Sequence, residues 1–259
     1  MSSDAPHWGL LKFSEQKEIR LEWERLCIRI LKKENDLLLV ENRGDTRTSI
    51  QLGADPESDF RRYAFENPVE FVRVQPRTPD RPLVVQPLHP LRLAPQAKVD
   101  FYVSVPLDIQ LSTGDGKSTE ELERIRSEIL SDTWFGDQLS GVLCYALKSR
   151  ARRECPVINS EKSARAICKI KIHNKSAEQL HCTKFCIRLD HCHLWQSGAG
   201  LWTPPIDIRY NGSSQHSAID YNTGAPSEAS GATKIAEAPE APLSGLIRRT
   251  FAGLGNSLT

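Results

Sequence analysis

Two segments far apart in the chain have nearly the same sequence. Leu21–Ile30 and Leu180–Leu189 align without gaps and share their first leucine and a Cys-Ile-Arg core. In the first segment Leu26, Ile28 and Ile30 alternate with polar or small residues, and the second segment has the same pattern. Such alternation is typical of a strand that is buried on one face. The repetition therefore predicts a β protein built from two related halves.

The region after the first segment is rich in proline. Leu107, Ile109 and Leu111 alternate strictly with polar residues, but seven prolines lie between residues 76 and 106. Proline cannot donate a hydrogen bond to a sheet ladder, so long central strands are excluded there. Short strands joined by tight turns are typical of β-sandwiches. We predict an all-β, sandwich-like fold with one connecting helix and a C-terminal amphipathic helix.

Local patterns divide the chain into five parts. Leu122, Ile125 and Ile129 recur at helical spacing, which predicts the connecting helix. Residues 222–242 are mostly Ala, Pro, Glu, Ser, Thr and Gly, which bury too little apolar surface to order a chain. The predicted parts are a β half over 1–112, a loop and helix over 113–131, a β half over 132–221, a disordered linker over 222–242 and an amphipathic helix over 243–259.

Charge and cysteine content constrain the class of protein only weakly. The formal net charge is +1, which by itself favours neither nucleic acid nor an acidic ligand as partner. The sequence has neither a secretory signal pattern nor an apolar run long enough to span a membrane. The seven cysteines are an odd number, and because no export signal is recognised we expect reduced thiols rather than a disulfide framework. We predict a cytoplasmic location, with peripheral contact at the inner membrane as an option, and no cofactor.

Several segments resemble a known family. Leu130–Asp137 and Gly141–Lys148, followed by Ala151–Arg153, are similar to the signature of uncharacterised prokaryotic proteins known as domain of unknown function 432. Phe101–Pro106 and Leu201–Thr203 fit the same family. The resemblance extends over roughly residues 8–254 and implies no catalytic residue. It implies one class of partner, the small mechanosensitive channels.

Basic residues are concentrated between Lys148 and Lys175. This stretch contains nine lysines and arginines but only two acidic residues, Glu154 and Glu161. If this region is a sheet, one face could bind phosphates, lipid headgroups or an acidic partner protein. The predicted anion- or partner-binding residues here are Lys148, Arg150, Arg152, Arg153, Lys169 and Lys171. The alternatives are a solvated face whose charges prevent edge pairing and a nucleic-acid site, which the lack of interleaved aromatic residues disfavours.

The predicted C-terminal helix suggests a binding role. An isolated helix of this length is marginal in water, so its apolar face needs a groove, a membrane surface or the protein's own sheet. Its predicted binding residues are Leu246, Ile247, Arg248, Arg249 and Phe251. We therefore predict a non-enzymatic binding protein that engages a partner protein, with a mechanosensitive channel as one candidate, or an anionic surface. The oligomeric state is left open.

A cysteine- and histidine-rich segment supports a rival function, a small enzyme based on cysteine and histidine, with zinc as an optional cofactor. Its candidate metal ligands are His181, Cys182, Cys186, His191, Cys192 and His193. Thiolates and imidazoles are the ligands that zinc prefers. However, Cys182 and Cys186 on one strand would be about 13 Å apart, too far to bind one ion. Cys144 could instead act as a nucleophile with a histidine base, but no glycine-rich turn precedes it.

Overall fold

The computed structural model describes residues 8–13, 17–24, 26–33, 37–43, 60–65, 69–114, 119–135, 142–198, 200–213 and 217–238. Over these residues the protein is almost entirely β, as predicted, with one helix of four residues. The predicted C-terminal helix over 243–259 lies outside the described residues.

The described residues form 21 strands and one short helix. The first ten strands are β1 (Gly9–Lys12), β2 (Glu18–Trp23), β3 (Leu26–Lys32), β4 (Leu37–Arg43), β5 (Phe60–Ala64), β6 (Phe71–Arg77), β7 (Leu83–Pro87), β8 (Leu91–Leu93), β9 (Lys98–Pro106) and β10 (Asp108–Gly114). The remaining elements are β11 (Thr119–Arg126), β12 (Ser131–Phe135), β13 (Val142–Arg152), α1 (Ser160–Ser163), β14 (Arg165–Asn174), β15 (Leu180–Cys182), β16 (Phe185–Ile187), β17 (Leu194–Ser197), β18 (Gly200–Trp202), β19 (Ile206–Tyr210), β20 (Ala218–Tyr221) and β21 (Thr233–Ala236).

The chain forms two compact units, and each is discontinuous in sequence. The first unit contains Met1–Arg77, Leu107–Glu128 and Glu161–Ala164, and the second contains the remaining residues. The predicted β halves over 1–112 and 132–221 were contiguous, unlike these units. Sequence order alone did not indicate that Leu107–Glu128 joins the strands of the first 77 residues.

The first unit contains a two-sheet sandwich. One antiparallel sheet has the order β2-β3-β4-β5, and the other has the order β1-β6-β10-β11. Both sheets contribute to a single apolar core, because Ile28 and Ile30 of β3 cluster with Ile109 and Leu111 of β10. The alternating residues of both strands are fully buried in this core. Burial of alternate side chains therefore holds this unit together, as the sequence pattern predicted.

The predicted connecting helix is wrong, because residues 119–126 form strand β11. The ladder between β10 and β11 shifts register after Leu111, whose partner is Glu123, so that Leu122 is an extra residue in the strand. This β-bulge interrupts the alternation. Leu122 and Ile125 can therefore pack in the same core although they are three residues apart. The helical spacing in the sequence was the signature of a bulged strand.

The two copies of the repeated segment lie in different units and pair differently. Each copy contains two short strands, with the break at the aligned positions Glu24 and Thr183. The prediction of one strand per copy is therefore wrong. In the first unit β2 and β3 form a hairpin, whereas in the second unit β15 pairs with β8 and β16 pairs with β7. A common origin of the two halves stays a prediction.

The second unit is dominated by one eleven-stranded sheet. Its main path has the order β16-β7-β13-β9-β14-β18-β17-β21. Two long strands change partners along their length: β13 pairs first with β12 and then with β7 and β9, and β14 pairs first with β18 and then with β19. One face of β9 and β14 is apolar and buried, whereas the other carries most of their polar side chains. The candidate site lies on this second face.

Candidate anion-binding surface

Strand β13 presents three cations on one face. Lys148, Arg150 and Arg152 are exposed, whereas Leu147, Ser149 and Ala151 between them are buried. Alternate residues of a strand point to opposite faces, so burial of one set directs the other set to solvent. We call the three cations and the exposed Arg153 that follows them the basic strip. Within the part of the chain that the structure describes, no carboxylate is paired with any of its members.

Lys169 and Lys171 are not beside the basic strip, because β9 lies between β13 and β14. The register places Arg152 opposite Tyr102 on β9, and Tyr102 opposite Lys169 on β14. These three residues therefore form a row across one face of the sheet. Neighbouring strands are about 4.8 Å apart, so the backbones at the two ends of this row are about 10 Å apart.

Lys169 is already paired with carboxylates of the same chain. Its Nζ donates a hydrogen bond to Glu228 Oε1 at 2.6 Å and lies 3.4 Å from Asp100 Oδ2. Tyr102 Oη donates to the same Glu228 oxygen at 2.8 Å. The ammonium group also lies 5.7 Å from the centre of the Tyr102 ring, within range of a cation–π interaction. Lys169 and Tyr102 thus form a preorganised site for one carboxylate, which Glu228 occupies.

The electrostatics of this group are consistent with a strong charge-assisted contact. Burial raises the pKa of the Glu228 carboxyl, but hydrogen bonds from Lys169 and then Tyr102 outweigh this and lower its pKa to about 2. The same contact raises the pKa of the Lys169 ammonium group. The hydrogen bond to Glu228, followed by burial, raises the pKa of the Tyr102 hydroxyl. Glu228 is therefore ionised throughout the physiological range.

The predicted binding residue Lys171 and a further cation of β14, Arg165, are also engaged. Lys171 Nζ lies 4.0 Å from Asp207 Oδ1 of the neighbouring strand β19. Arg165 donates hydrogen bonds to the side-chain and backbone oxygens of Ser104 at 2.6 Å each. Of the predicted anion-binding residues in the described chain, those of the basic strip are the ones without a carboxylate partner.

Glu228 belongs to a loop that the sequence predicted to be disordered. The linker prediction for 222–242 is wrong over residues 222–238, because β21 pairs with β17 and the preceding loop covers the sheet. Ala229 is buried in a cluster with Ile167 and Trp202, and Tyr102 and Trp195 pack against that cluster. The prediction of disorder from composition failed because one buried alanine and one ion pair can order a loop that has no large apolar residue. We call residues 222–232 the covering loop.

Replacing Glu228 with glutamine should lower stability at neutral pH but not at pH 2. The folded-state pKa of about 2 lies below the ordinary value of 4.5, so the ionised carboxylate stabilises the fold above pH 4.5. This contribution is lost as the pH falls from 4.5 to 2. Urea unfolding of both proteins between pH 7 and pH 2 measures the effect. A difference that stays constant with pH would contradict the proposed ion pair, and Glu178→Gln provides a control at an exposed carboxylate of the same unit.

The six candidate metal ligands are not brought together. His181 is exposed on β15, whereas Cys182 and Cys186 are buried on different strands. His191 packs edge-on against Tyr221, with ring centres 5.4 Å apart. Cys192 is also buried. His193 Nδ1 accepts a hydrogen bond from the backbone of Ala238 at 2.9 Å.

Short turns in the 180–193 segment separate these side chains, although they are close in sequence. Among the residues that the structure describes, no three His, Cys, Asp or Glu side chains are arranged to hold a metal ion.

Burial raises the pKa of the six thiols of the second unit. Burial raises the pKa of Cys168, Cys182 and Cys186 to about 12, and burial also raises the pKa of Cys192. Cys144 is half-buried, and burial raises its pKa as well. A nucleophilic cysteine needs a lowered pKa, so none of these thiols has the electrostatic signature of a catalytic residue.

Sequence reasoning missed one buried polar cluster beside His191. Arg188 and Asp190 form an ion pair, and Asp190 is almost completely buried. The Arg188 backbone N–H donates to Tyr221 Oη at 3.0 Å. Burial raises the pKa of Tyr221. These contacts join β20 to the segment after β16, and no local pattern in the sequence pairs residues 33 positions apart.

The segments that resemble a family signature form the hairpin β12–β13. One face of this hairpin packs through Cys144 and Ala146 on Val84 and Cys186. The opposite face exposes large apolar side chains, with Trp134 44%, Leu143 59% and Tyr145 65% accessible. The model of a family described as protein of unknown function, DUF432, matches residues 7–254. The chain belongs to the DUF432 family.

Two further comparisons gave no match for this DUF432 protein. Neither a search of curated proteins nor a search of solved structures found a significant match. Among the described residues, no helix has the length and apolar character needed to cross a membrane.

Proposed function

We propose that this protein is a non-enzymatic binding protein whose basic strip, Lys148, Arg150, Arg152 and Arg153, binds an acidic segment of a partner protein. The observation that supports the proposal is that some cations of one sheet are paired with carboxylates and others are not. Lys169 and Lys171 have carboxylates of the same chain beside them, whereas the basic strip has none within the described residues. Unpaired cations in a row attract an anionic partner and orient it.

The covering loop supports a peptide rather than a lipid or nucleic acid as the ligand. An irregular segment with one glutamate already lies on this sheet. It places the Glu228 carboxylate on Lys169, in the same row of side chains as Arg152. The surface therefore accommodates a backbone with a glutamate side chain. Aromatic residues do not alternate with the cations of β13 as they do on stacking platforms for single-stranded nucleic acid.

The partner and the C-terminal helix extend this proposal. A small mechanosensitive channel is the candidate partner, which rests on the resemblance of the sequence alone. The predicted helix with Leu246, Ile247, Phe251, Arg248 and Arg249 would provide a second contact to the same partner. Two linked contacts strengthen binding more than either contact alone. A cytoplasmic location, with contact at the inner membrane where the partner lies, is part of the proposal.

Neutralising the basic strip should weaken peptide binding. The triple variant Lys148→Gln, Arg150→Gln, Arg152→Gln is expected to bind a labelled peptide of alternating glutamate and alanine about tenfold more weakly, since each exposed ion pair contributes roughly 0.5 kcal/mol. Fluorescence anisotropy at low and physiological salt measures the change. The matched control is Arg92→Gln, Lys98→Gln, Lys175→Gln, which removes the same charge from exposed positions of the same unit.

The two triple variants separate a local site from a general effect of charge. Equal loss in both variants would contradict the proposal, because it would show that only net charge matters. Stronger binding to phosphatidylserine vesicles or to single-stranded DNA than to the peptide would also contradict it, in favour of a lipid or nucleic-acid ligand. Retained affinity in the basic-strip variant would exclude the strip as the binding surface.

A further inference from the structure

We infer that Lys169 and Tyr102, together with Trp195 and Trp202, form a second subsite that binds a glutamate of the partner's acidic segment, and that Glu228 of the covering loop occupies this subsite until the partner displaces it. This inference rests on the proposed function and adds to it both a specificity and a regulatory contact. The covering loop of the same chain shows which kind of ligand the subsite would bind.

The bound loop shows what chemistry the subsite accepts. Glu228 supplies one carboxylate oxygen to two donors, Lys169 Nζ and Tyr102 Oη, at 2.6 and 2.8 Å. The next residue, Ala229, is 98% buried in the aromatic cluster. A glutamate followed by a small residue therefore fits the subsite, whereas a larger side chain at the second position would meet Trp202.

One donor of the subsite is left unused by the covering loop. The indole Nε1 of Trp195 is buried and has no hydrogen-bond partner among the described residues. Buried donors in proteins are nearly always paired. A partner segment that continues past the alanine could offer a carbonyl oxygen to this group, which the covering loop does not. The external ligand would then gain a contact that the resident loop lacks.

The covering loop is held weakly enough to be displaced. Its buried anchors are small, namely Pro226 and Ala229, and Gly224 and Gly231 flank them. Two of its backbone hydrogen bonds are internal turns, from Ala229 to Pro226 and from Ala232 to Ala229. The loop is also fixed near its two ends, where Asn222 donates to Pro205 O and Asp207 Oδ2 and the Ser230 carbonyl accepts from Ser197 Oγ at 3.4 Å. Between these two points Glu228 makes the hydrogen bonds to the sheet, and a segment with few buried apolar contacts and few such bonds can open locally. The ion pair of Glu228 is thus the main charged contact that keeps the loop closed.

The subsite lies next to the basic strip. Arg152, Tyr102 and Lys169 occupy one row across three adjacent strands. An extended peptide rises about 3.3 Å per residue, so carboxylates a few residues apart can reach both ends of the row. While Glu228 is bound, only the basic strip is open to a partner. Displacement of Glu228 would extend the binding surface to Lys169.

Weakening the resident contact should strengthen binding of the external peptide. Glu228→Gln keeps the size of the side chain and removes its charge, so we expect the labelled glutamate–alanine peptide to bind about tenfold more tightly, as expected when a competing closed state is depopulated. The double variant Lys169→Met, Glu228→Gln should lose this gain. Glu178→Gln is the matched control, because it removes an exposed carboxylate in the turn after β14, outside the subsite, and its affinity should be unchanged.

Hydrogen exchange of the wild-type protein gives a second, independent measurement. Saturating peptide should speed exchange of the backbone amides of residues 222–232, because the loop is displaced. Slower exchange there would overturn the inference. Unchanged affinity of Glu228→Gln would also overturn it, as would a gain that persists after Lys169→Met.

The two proposals can fail separately. If the basic-strip variant loses binding while Glu228→Gln binds like the wild type, the subsite is excluded and the proposed function stands. If Glu228→Gln gains affinity while the basic-strip variant is unaffected, the subsite stands and the strip is excluded. Absence of binding by every variant would overturn both.

Discussion

Replacing Asn174 with aspartate should lower the free energy of unfolding by about 3–5 kcal/mol, or prevent folding, because it places a charge against three carbonyl oxygens. Asn174 is completely buried at the end of β14. Its Nδ2 donates to the carbonyl oxygens of Leu93, Ala94 and Glu178 at 3.0, 3.1 and 2.7 Å. An aspartate side chain has the same shape but offers only acceptors when ionised.

The acceptor side of Asn174 is also used, so the residue cannot simply turn its amide around. Its Oδ1 accepts hydrogen bonds from the backbone N–H and the hydroxyl of Ser176 at 3.1 and 2.7 Å. The side chain thus joins the end of β8, the end of β14 and the turn that follows. Such fully satisfied buried networks fix a unique arrangement, and partial disruption is costly.

Urea unfolding at neutral pH measures the effect of Asn174→Asp. Gln179→Glu makes the same change from amide to carboxylate at an exposed side chain of the same unit and should alter stability by less than about 0.5 kcal/mol. A loss in Asn174→Asp no larger than that of the control would show that the amide network does not hold these strands together. The variant would also remove the support of β14, which carries Lys169.

In the native protein at pH 8, four of the seven cysteines should react with a thiol reagent at least about a thousandfold more slowly than an ordinary thiol. These are Cys168, Cys182, Cys186 and Cys192, all of which are buried. A pKa of about 12 for the first three leaves almost no thiolate, which is the reactive form. In the folded protein the reagent also cannot reach these buried thiols, which slows the reaction further.

The exposed Cys155 should give the fastest phase of labelling. Burial and the charge of Glu228 raise its pKa, so its rate should not exceed that of an ordinary thiol. Cys155→Ser should remove this phase, and denaturant should release all the remaining thiols. A fast-reacting cysteine among the four buried ones would contradict the structure and support the rival interpretation of a cysteine-dependent enzyme.

The alternation of apolar and polar residues correctly predicted the buried faces of regular strands. Leu26, Ile28 and Ile30 are buried on β3, and Ile109 and Leu111 are buried on β10, as the pattern required. The pattern failed where a strand is irregular. The bulge at Leu122 produced a helical spacing inside β11, because an extra residue changes which side chains share a face.

The candidate site could be predicted only in part, because its partners are distant in sequence. The basic strip followed from alternation along β13, but the position of Lys169 depends on β9, which lies between the two strands. Glu228 is 59 residues from Lys169. Nothing in a tract of small residues identifies one glutamate as the partner of a particular lysine. The tertiary fold, not local propensity, selects that pair.

The interleaving of the two units has a consequence for how this protein can be made and inherited. The chain passes from one unit to the other five times, after residues 77, 106, 128, 160 and 164. The ribosome must therefore synthesise Ala164 before either unit has all its segments, and no single cut in the gene separates the two. Recombination would tend to exchange such a coding sequence whole. A family match that extends over residues 7–254 without division agrees with inheritance as one indivisible module.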